Sequence, residues 1–370
     1  MISLTGSSEV SALWINKTLV SGGLTRDYRV YQSPNYNASV PASLVIALHG
    51  LDGNMNTFSN TGFNAVADTA NIICIFPQAI ADPIVGTAWN SGAGLWWYNP
   101  NTSVDDIGFI NALIDTAIAD YAINTSRVYL CGFSMGGFMT ERMALQSNTR
   151  IAAFASMSGT IGSNITTFHP GRHVPIAHFH GTADAIVAYT NDLYGLDVDP
   201  LINFWVGNNS CSKTPTIYSY PDLANDSITV DRFEYSNGDN QSDVWLYKMN
   251  NAGHTVLVQP ANDINEQLEL WRFLQRHTLV TTGINDRSDF SENIQVFPNP
   301  TNNKITITGL STDISKNTFI SVYNIQGQLL LQQVIHWETT EIELGSLAKG
   351  IYLLKLNSGN NTAVRKVVKE

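Results

Sequence analysis

Apolar residues fall along this chain in two rhythms. Leu44–Leu48, Ile72–Phe76 and Val128–Cys131 are short apolar runs, the pattern of strands buried on both faces, and Ile151–Met157, Pro175–Phe179 and Val244–Met249 continue the strand series. Between them apolar residues recur at helical spacing. The spacing predicts helices over Phe58–Ala70, over Val104–Tyr121 (Ile107, Ile110, Leu113, Ile114, Ala117, Ile118), over Met135–Gln146 and over about Asn262–His277 (Ile264, Leu268, Trp271, Leu274). Two extended segments, Lys17–Val20 and Arg26–Tyr31, open the series around the turn at Gly22-Gly23. Strands alternating with helices predict an α/β fold: a mostly parallel sheet with helices on both faces and reactive groups at the carboxyl ends of its strands.

After His277 the rhythm changes. Short alternating strands follow at Lys304–Ile307, Phe319–Asn324, Gln328–Val334, Thr340–Leu344, Ile351–Leu356 and Ala363–Val368, with turn residues between them. This division predicts a body over residues 1–280, a polar linker over 281–293 and a small all-β sandwich over 294–370.

Charge sharpens the division. The net charge is −11, yet residues 291–370 hold seven basic and six acidic side chains, so the whole negative excess is on the body. An acidic body without basic stretches is unsuited to nucleic acid or an anionic membrane. No apolar run reaches the length of a membrane span. The three cysteines, Cys74, Cys131 and Cys211, show no paired spacing and predict free, mostly buried thiols rather than a disulfide framework. The opening residues lack the pattern of a signal peptide, which leaves a cytosolic protein or a removed leader.

Candidate chemistry centres on Gly132-Phe-Ser134-Met-Gly136, which lies between a buried strand and a helix. Glycines there let a serine occupy a sharp strand-to-helix turn, and the first free amide of the helix can stabilise an oxyanion. Such a serine needs a base, and the base an orienting carboxylate, in the chain order Ser, Asp, His. Asp184 of His180-Gly-Thr-Ala-Asp184 and His254 of Asn251-Ala-Gly-His254 both follow predicted strands in that order. Asp192, Asp197 and Asp199 are alternative carboxylates, read as solvated loop acids. A zinc site from His169, His173, His178 and His180 lacks recognisable ligand spacing, and His178 and His180 read as core histidines. A second oxyanion amide is expected in the loop Leu48-His49-Gly50-Leu51, at Leu51, beside that of Met135, with His49 holding the loop. Asp105 and Asp106 precede a helix and are read as caps.

With these residues assembled, the body resembles the polyhydroxybutyrate depolymerase and feruloyl esterase group of α/β-hydrolases (carbohydrate esterase family 1). The likeness rests on Ser21-Gly-Gly-Leu-Thr-Arg-Asp-Tyr28, Leu48-His-Gly50, Trp89-Asn90, Val104-Asp-Asp-Ile-Gly-Phe-Ile110, the Ser134 turn, His180–Asp184 and Gly253-His254. It implies an α/β-hydrolase fold and a Ser134–His254–Asp184 triad acting without metal or cofactor. The expected substrates are feruloyl or acetyl esters of plant polysaccharide, or polyesters. Many relatives carry a cysteine in the loop that here reads Ser91-Gly-Ala-Gly-Leu-Trp96-Trp97-Tyr98. Trp89, Trp96 and Trp97 are the expected substrate contacts, against the alternative that these aromatics pack in the core.

The tail resembles the type IX secretion sorting domain of Bacteroidota through Val296-Phe-Pro-Asn-Pro300, Val322-Tyr-Asn-Ile-Gln-Gly327, Leu347-Ala-Lys-Gly-Ile-Tyr352 and Arg365-Lys-Val-Val-Lys369. This implies a cleaved leader, engagement of the type IX machinery, and export through the outer membrane with loss of the sorting domain on release or surface attachment. Rival readings are a carbohydrate-binding module for the tail, and a serine peptidase or a non-catalytic surface binder for the body.

Overall fold

A computed structural model describes residues 13–94, 98–279, 294–308, 318–324, 328–334, 339–358 and 361–370. The linker expected over 281–293 lies outside them. Contacts divide the chain into two units, Met1–Val280 and Thr281–Glu370.

In the first unit the continuous apolar runs form strands because both of their faces are covered. The strands are β1 (Leu13–Ser21), β2 (Leu24–Gln32), β3 (Ala42–Leu48), β4 (Ile72–Pro77), the two-residue β5 (Ala81–Asp82) and β6 (Gly86–Thr87), β7 (Ile123–Phe133), β8 (Ala153–Met157), β9 (Ile176–Gly181), β10 (Thr216–Ser219), β11 (Thr229–Tyr235) and β12 (Val244–Asn250). Ten of them make one sheet in the order β1-β2-β4-β3-β7-β8-β9-β12-β11-β10. The six strands from β4 to β12 are parallel, and antiparallel pairs flank them on both sides.

Alternate residues of each parallel strand feed two separate cores. Leu44, Ile46 and Leu48 pack on one face with α3 (Asp106–Asp120), α4 (Met135–Gln146) and α5 (Val198–Asn208). Val45 and Ala47 pack on the other with α1 (Met55–Phe58), α2 (Phe63–Ala67) and α6 (Glu266–Leu274).

Three predicted helices change at their ends. The helix expected over 58–70 is two short ones, because Gly62 at φ 101° breaks the path between them. Asp105 caps α3 by accepting from the Gly108 amide, and the helix begins one residue later. The last helix starts only at Glu266, after Asn265, whose side chain accepts from the Leu268 amide. All three cysteines, Cys211 included, are free and buried.

The second unit pairs β13 (Gln295–Phe297), β14 (Lys304–Thr308) and β17 (Thr340–Glu343) in one antiparallel sheet. β15 (Thr318–Asn324), β16 (Leu329–Val334), β18 (Gly350–Ser358) and β19 (Asn361–Lys369) form a second. Ile305, Ile307 and Ile342 of the first sheet share a core with Ile320, Leu354 and Val367 of the second, as a sandwich requires.

Candidate active site

Ser134 stands at the sharp turn between β7 and α4, with φ 55° and ψ −121°, a conformation that an L-residue adopts only under the constraint of its surroundings. The glycines on either side permit it. A Cβ on Gly136 would meet the Leu48 carbonyl oxygen at 2.2 Å, and one on Gly132 would meet the Gly136 carbonyl oxygen at 2.2 Å. β3, β7 and α4 therefore approach one another more closely than side chains allow. The Ser134 amide donates to the Met157 carbonyl at 2.8 Å, which ties the turn to the end of β8.

Three side chains from three strand ends meet at this turn. His254, four residues past β12, places Nε2 2.8 Å from Ser134 Oγ and Nδ1 2.7 Å from Asp184 Oδ2. Asp184 follows β9, and its Oδ1 accepts from the amides of Ile186 and Val187, both at 2.9 Å. Burial alone would raise the Asp184 pKa, but His254 and these two amides outweigh it and hold the carboxyl below its ordinary value. With Nδ1–H donating to this carboxylate, Nε2 is left as an acceptor for the Ser134 hydroxyl.

The rival carboxylates bond elsewhere. Asp192 accepts from the Ala188 amide, Asp197 from the Asp192 amide and Asp199 from the Tyr189 hydroxyl. Among the described residues His169, His173, His178 and His180 form no metal-ligating group.

The loop after β3 faces the serine. Gly50 lies so close that an added Cβ would stand 3.1 Å from Ser134 Cβ. Leu51 and Met135 line one cleft with Ser134, and neither amide donates to an acceptor among the described residues. His49 fixes the loop: Nδ1 donates to the Gly50 carbonyl at 2.7 Å and Nε2 accepts from the Ala79 amide at 3.0 Å. Burial lowers its pKa to about 4, against the pull of the Gly50 carbonyl, so the ring stays neutral.

Trp89 corrects one expectation. It is wholly buried rather than exposed to a substrate, and its indole N–H donates to the His49 carbonyl at 2.8 Å. Its neighbour Asn90 donates its amide to Asp106, which also holds Arg26 in a buried ion pair at 2.6 Å. The Arg26 and Asp106 of the two sequence motifs thus brace the loop from behind, and of the two acids expected to cap the helix only Asp105 does so. Trp96 and Trp97 lie outside the described residues.

Two clefts flank Ser134. One, of about 90 Å³, is lined by Leu51, Ala93, Met135, Phe138, Ile186, Val187 and Tyr194. The other, of about 370 Å³, opens along His49, Gly50, Phe58, Phe133, His254 and Val256. The small cleft was not foreseen. Only its position next to Asp184 and Met135 in sequence could have pointed to Ile186, Val187 and Phe138.

Behind the site runs a buried polar chain, also unforeseen. His180 Nε2 donates to the Val187 carbonyl at 2.8 Å and its Nδ1 accepts from His178 Nε2 at 3.0 Å. That leaves His178 Nδ1 facing Glu141 Oε1, while Glu141 Oε2 accepts from the Trp205 indole at 2.9 Å. Burial pushes the Glu141 pKa up to about 8, although the Trp205 N–H pulls the other way, and drives that of His178 well below its ordinary value. The proton arrangement that fits these contacts is a neutral Glu141 beside two neutral imidazoles, each protonated on Nε2, with Glu141 Oε1 and His178 Nδ1 3.8 Å apart and beyond hydrogen-bond reach.

The fold is that of an α/β-hydrolase, and Ser134, His254 and Asp184 stand within hydrogen-bond reach of one another at the ends of its strands. Residues 36–192 match the family model described as Phospholipase/Carboxylesterase, and residues 295–370 the one described as Secretion system C-terminal sorting domain. Over these residues the body is similar to the carboxylesterase family of α/β-hydrolases, and the tail to secretion sorting domains. A bifunctional acetylxylan esterase/xylanase of Neocallimastix patriciarum is 30% identical over 255 residues, 67% of this chain and 34% of that protein. The "Probable feruloyl esterase C" of Aspergillus oryzae is 28% identical over 51% of this chain and 64% of its own length. The chain therefore spans between a third and two thirds of these relatives. The solved acetyl xylan esterase of Aspergillus awamori shares the fold at a TM-score of 0.52 and 15% identity, over 71% of this chain and 99% of that one. The sorting domain marks the chain for secretion.

Proposed function

We propose that this protein is a secreted serine carboxylic-ester hydrolase that removes short acyl groups, acetyl foremost, from plant polysaccharide. The observation that carries the reading is the hydrogen-bonded series Ser134–His254–Asp184, at 2.8 and 2.7 Å, at the carboxyl ends of β7, β12 and β9. His254 Nε2 takes the hydroxyl proton as Ser134 Oγ attacks the ester carbonyl. Asp184 keeps the imidazole in the required tautomer and supports the imidazolium that forms. The Leu51 and Met135 amides donate to the oxyanion, and His254 returns the proton to the departing alcohol. Water then repeats the sequence on the acyl-enzyme and releases the acid.

Two features favour a short acyl group. The cleft on the Leu51 and Met135 side is small, at about 90 Å³, and mostly apolar. The acetylxylan esterase relative matches two thirds of the chain. The larger cleft beside His254 has room for the alcohol, here a sugar residue of the polymer. The tail is read by the type IX secretion machinery, which delivers the enzyme to its polymer outside the cell.

A hydrolysis panel tests this reading: acetylated xylan, p-nitrophenyl acetate, methyl ferulate, polyhydroxybutyrate and a peptide anilide. The acetyl esters are expected to turn over fastest, and Ser134→Ala to abolish turnover while leaving the fold intact. Faster release of ferulate or hydroxybutyrate would displace the acetyl assignment. Wild-type rates in Ser134→Ala would remove the mechanism, and activity on the anilide alone would make the protein a peptidase.

A further inference from the structure

We infer that Asp222, Asp226 and Asp263 form a calcium site that pins the chain downstream of His254 to the loop between β10 and β11. Carboxylate oxygens from all three lie within 4.8 Å of one another. Asp263 is 7% exposed. Its Oδ1 accepts from the amides of Leu223 and Ala224 at 2.7 and 2.9 Å, but its Oδ2 is buried with no hydrogen-bond partner among the described residues. No Lys, Arg or His forms an ion pair with any of the three among the described residues.

A buried carboxylate oxygen requires a partner, and three mutually repelling carboxylates require positive charge. One divalent cation meets both needs. The donors are all hard oxygens, without nitrogen or sulfur, which suits calcium and not zinc. The half-exposed side of the cluster, at Asp222 and Asp226, leaves room for the waters that complete a calcium shell.

The scaffold is already in place. Asn262 Nδ2 donates to Asp226 Oδ2 at 2.7 Å, and Gln259 Nε2 donates to the Asp263 carbonyl at 2.9 Å. The two segments are thus joined by hydrogen bonds before any ion enters. The sequence reading expects no metal, and Asp222, Asp226 and Asp263, divided between two segments, match no ligand motif.

The test uses the full chain, stripped with EDTA and dialysed. Calorimetric titration with calcium chloride is expected to give one ion per chain at a dissociation constant of about 10⁻⁴–10⁻³ M, the range of extracellular modules. At 10 mM calcium the hydrolase unit should melt roughly 3–8 °C higher. Asp222→Asn, at an exposed position, and Asp263→Asn, which keeps an oxygen for the Leu223 and Ala224 amides, should each abolish both effects. Failure of calcium to bind, an unchanged response in Asp222→Asn, or an equal rise with magnesium chloride would each overturn the assignment.

Discussion

Oε1 of Glu141 and Nδ1 of His178 face each other at 3.8 Å in full burial, and neither atom has a hydrogen-bond partner among the described residues. Glu141 is held neutral there, with its pKa near 8 against 4.5 for an ordinary glutamate. Between those values the folded chain keeps a proton that the unfolded chain releases. Stability from this group is therefore complete below about pH 4.5 and is lost as pH rises toward 8.

Glu141→Gln keeps the acceptor for Trp205, supplies an N–H toward His178 and cannot ionise. Relative to the wild type, the variant should gain up to about 1.4 kcal/mol per pH unit across that window. Urea unfolding of both proteins at pH 5, 6, 7 and 8 measures the gap. Parallel stability curves would mean that Glu141 is already charged in the folded state.

Asp184→Asn should lower kcat about 10³- to 10⁴-fold with little change in KM. An amide nitrogen in place of Oδ2 donates to Nδ1 of His254, which puts the ring proton on Nε2 and removes the acceptor that Ser134 needs. Steady-state kinetics on p-nitrophenyl acetate would show this, and a loss of only a few-fold would leave Asp184 a structural residue.

Trp89→Phe keeps an aromatic ring but takes away the hydrogen bond to the His49 carbonyl. A buried carbonyl without its partner costs about 1–3 kcal/mol, and the loop bearing Gly50 and Leu51 is freed to shift. The expected result is a lower melting temperature together with a kcat that falls more than KM rises. If stability drops while kcat holds, the loop is positioned by other bonds.

Ile186 lines the small cleft with a side chain that is largely exposed, so Ile186→Ala opens the cleft at little cost to the core. The ratio of kcat/KM for p-nitrophenyl butyrate over acetate should rise several-fold. An unchanged ratio would place the acyl group elsewhere.

Much of this molecule was legible in its sequence, for reasons that differ by element. β3 and β4 announce themselves because burial on both faces requires apolar runs, and β7, β8, β9 and β12 do so through mostly apolar stretches interrupted by single polar residues such as Ser156, His178 and Lys248. The positions of Ser134, Asp184 and His254 follow, since each comes just after such a run. The flanking β10 and β11 gave no signal: all four residues of β10 are exposed, so nothing in their polarity alternates. Helix α5 went unread in a stretch opening with Asp197, Asp199 and Pro200, although it buries Leu201, Ile202 and Trp205. Trp89 was read as a substrate contact because an aromatic near a catalytic loop looks the same in sequence whether it faces the cleft or supports it. His178 and His180 are legible as core histidines because they sit in and at the end of a buried strand, whereas Glu141 and Asp263 give no signal, since a buried acid is defined by neighbours distant in the chain.

Ser134, Asp184 and His254 hang from three different strands, and β9 and β12 pair with each other though some 60 residues separate them in the chain. No two members of the site belong to one local piece of structure. On refolding, helices and collapsed cores can form early, whereas the serine gains its base only once the last parallel pairing closes, the slow kind of contact in topologies of this type. Regained hydrolysis should therefore trail regained helical signal, and the rate at which activity returns reports how long β12 takes to find its place.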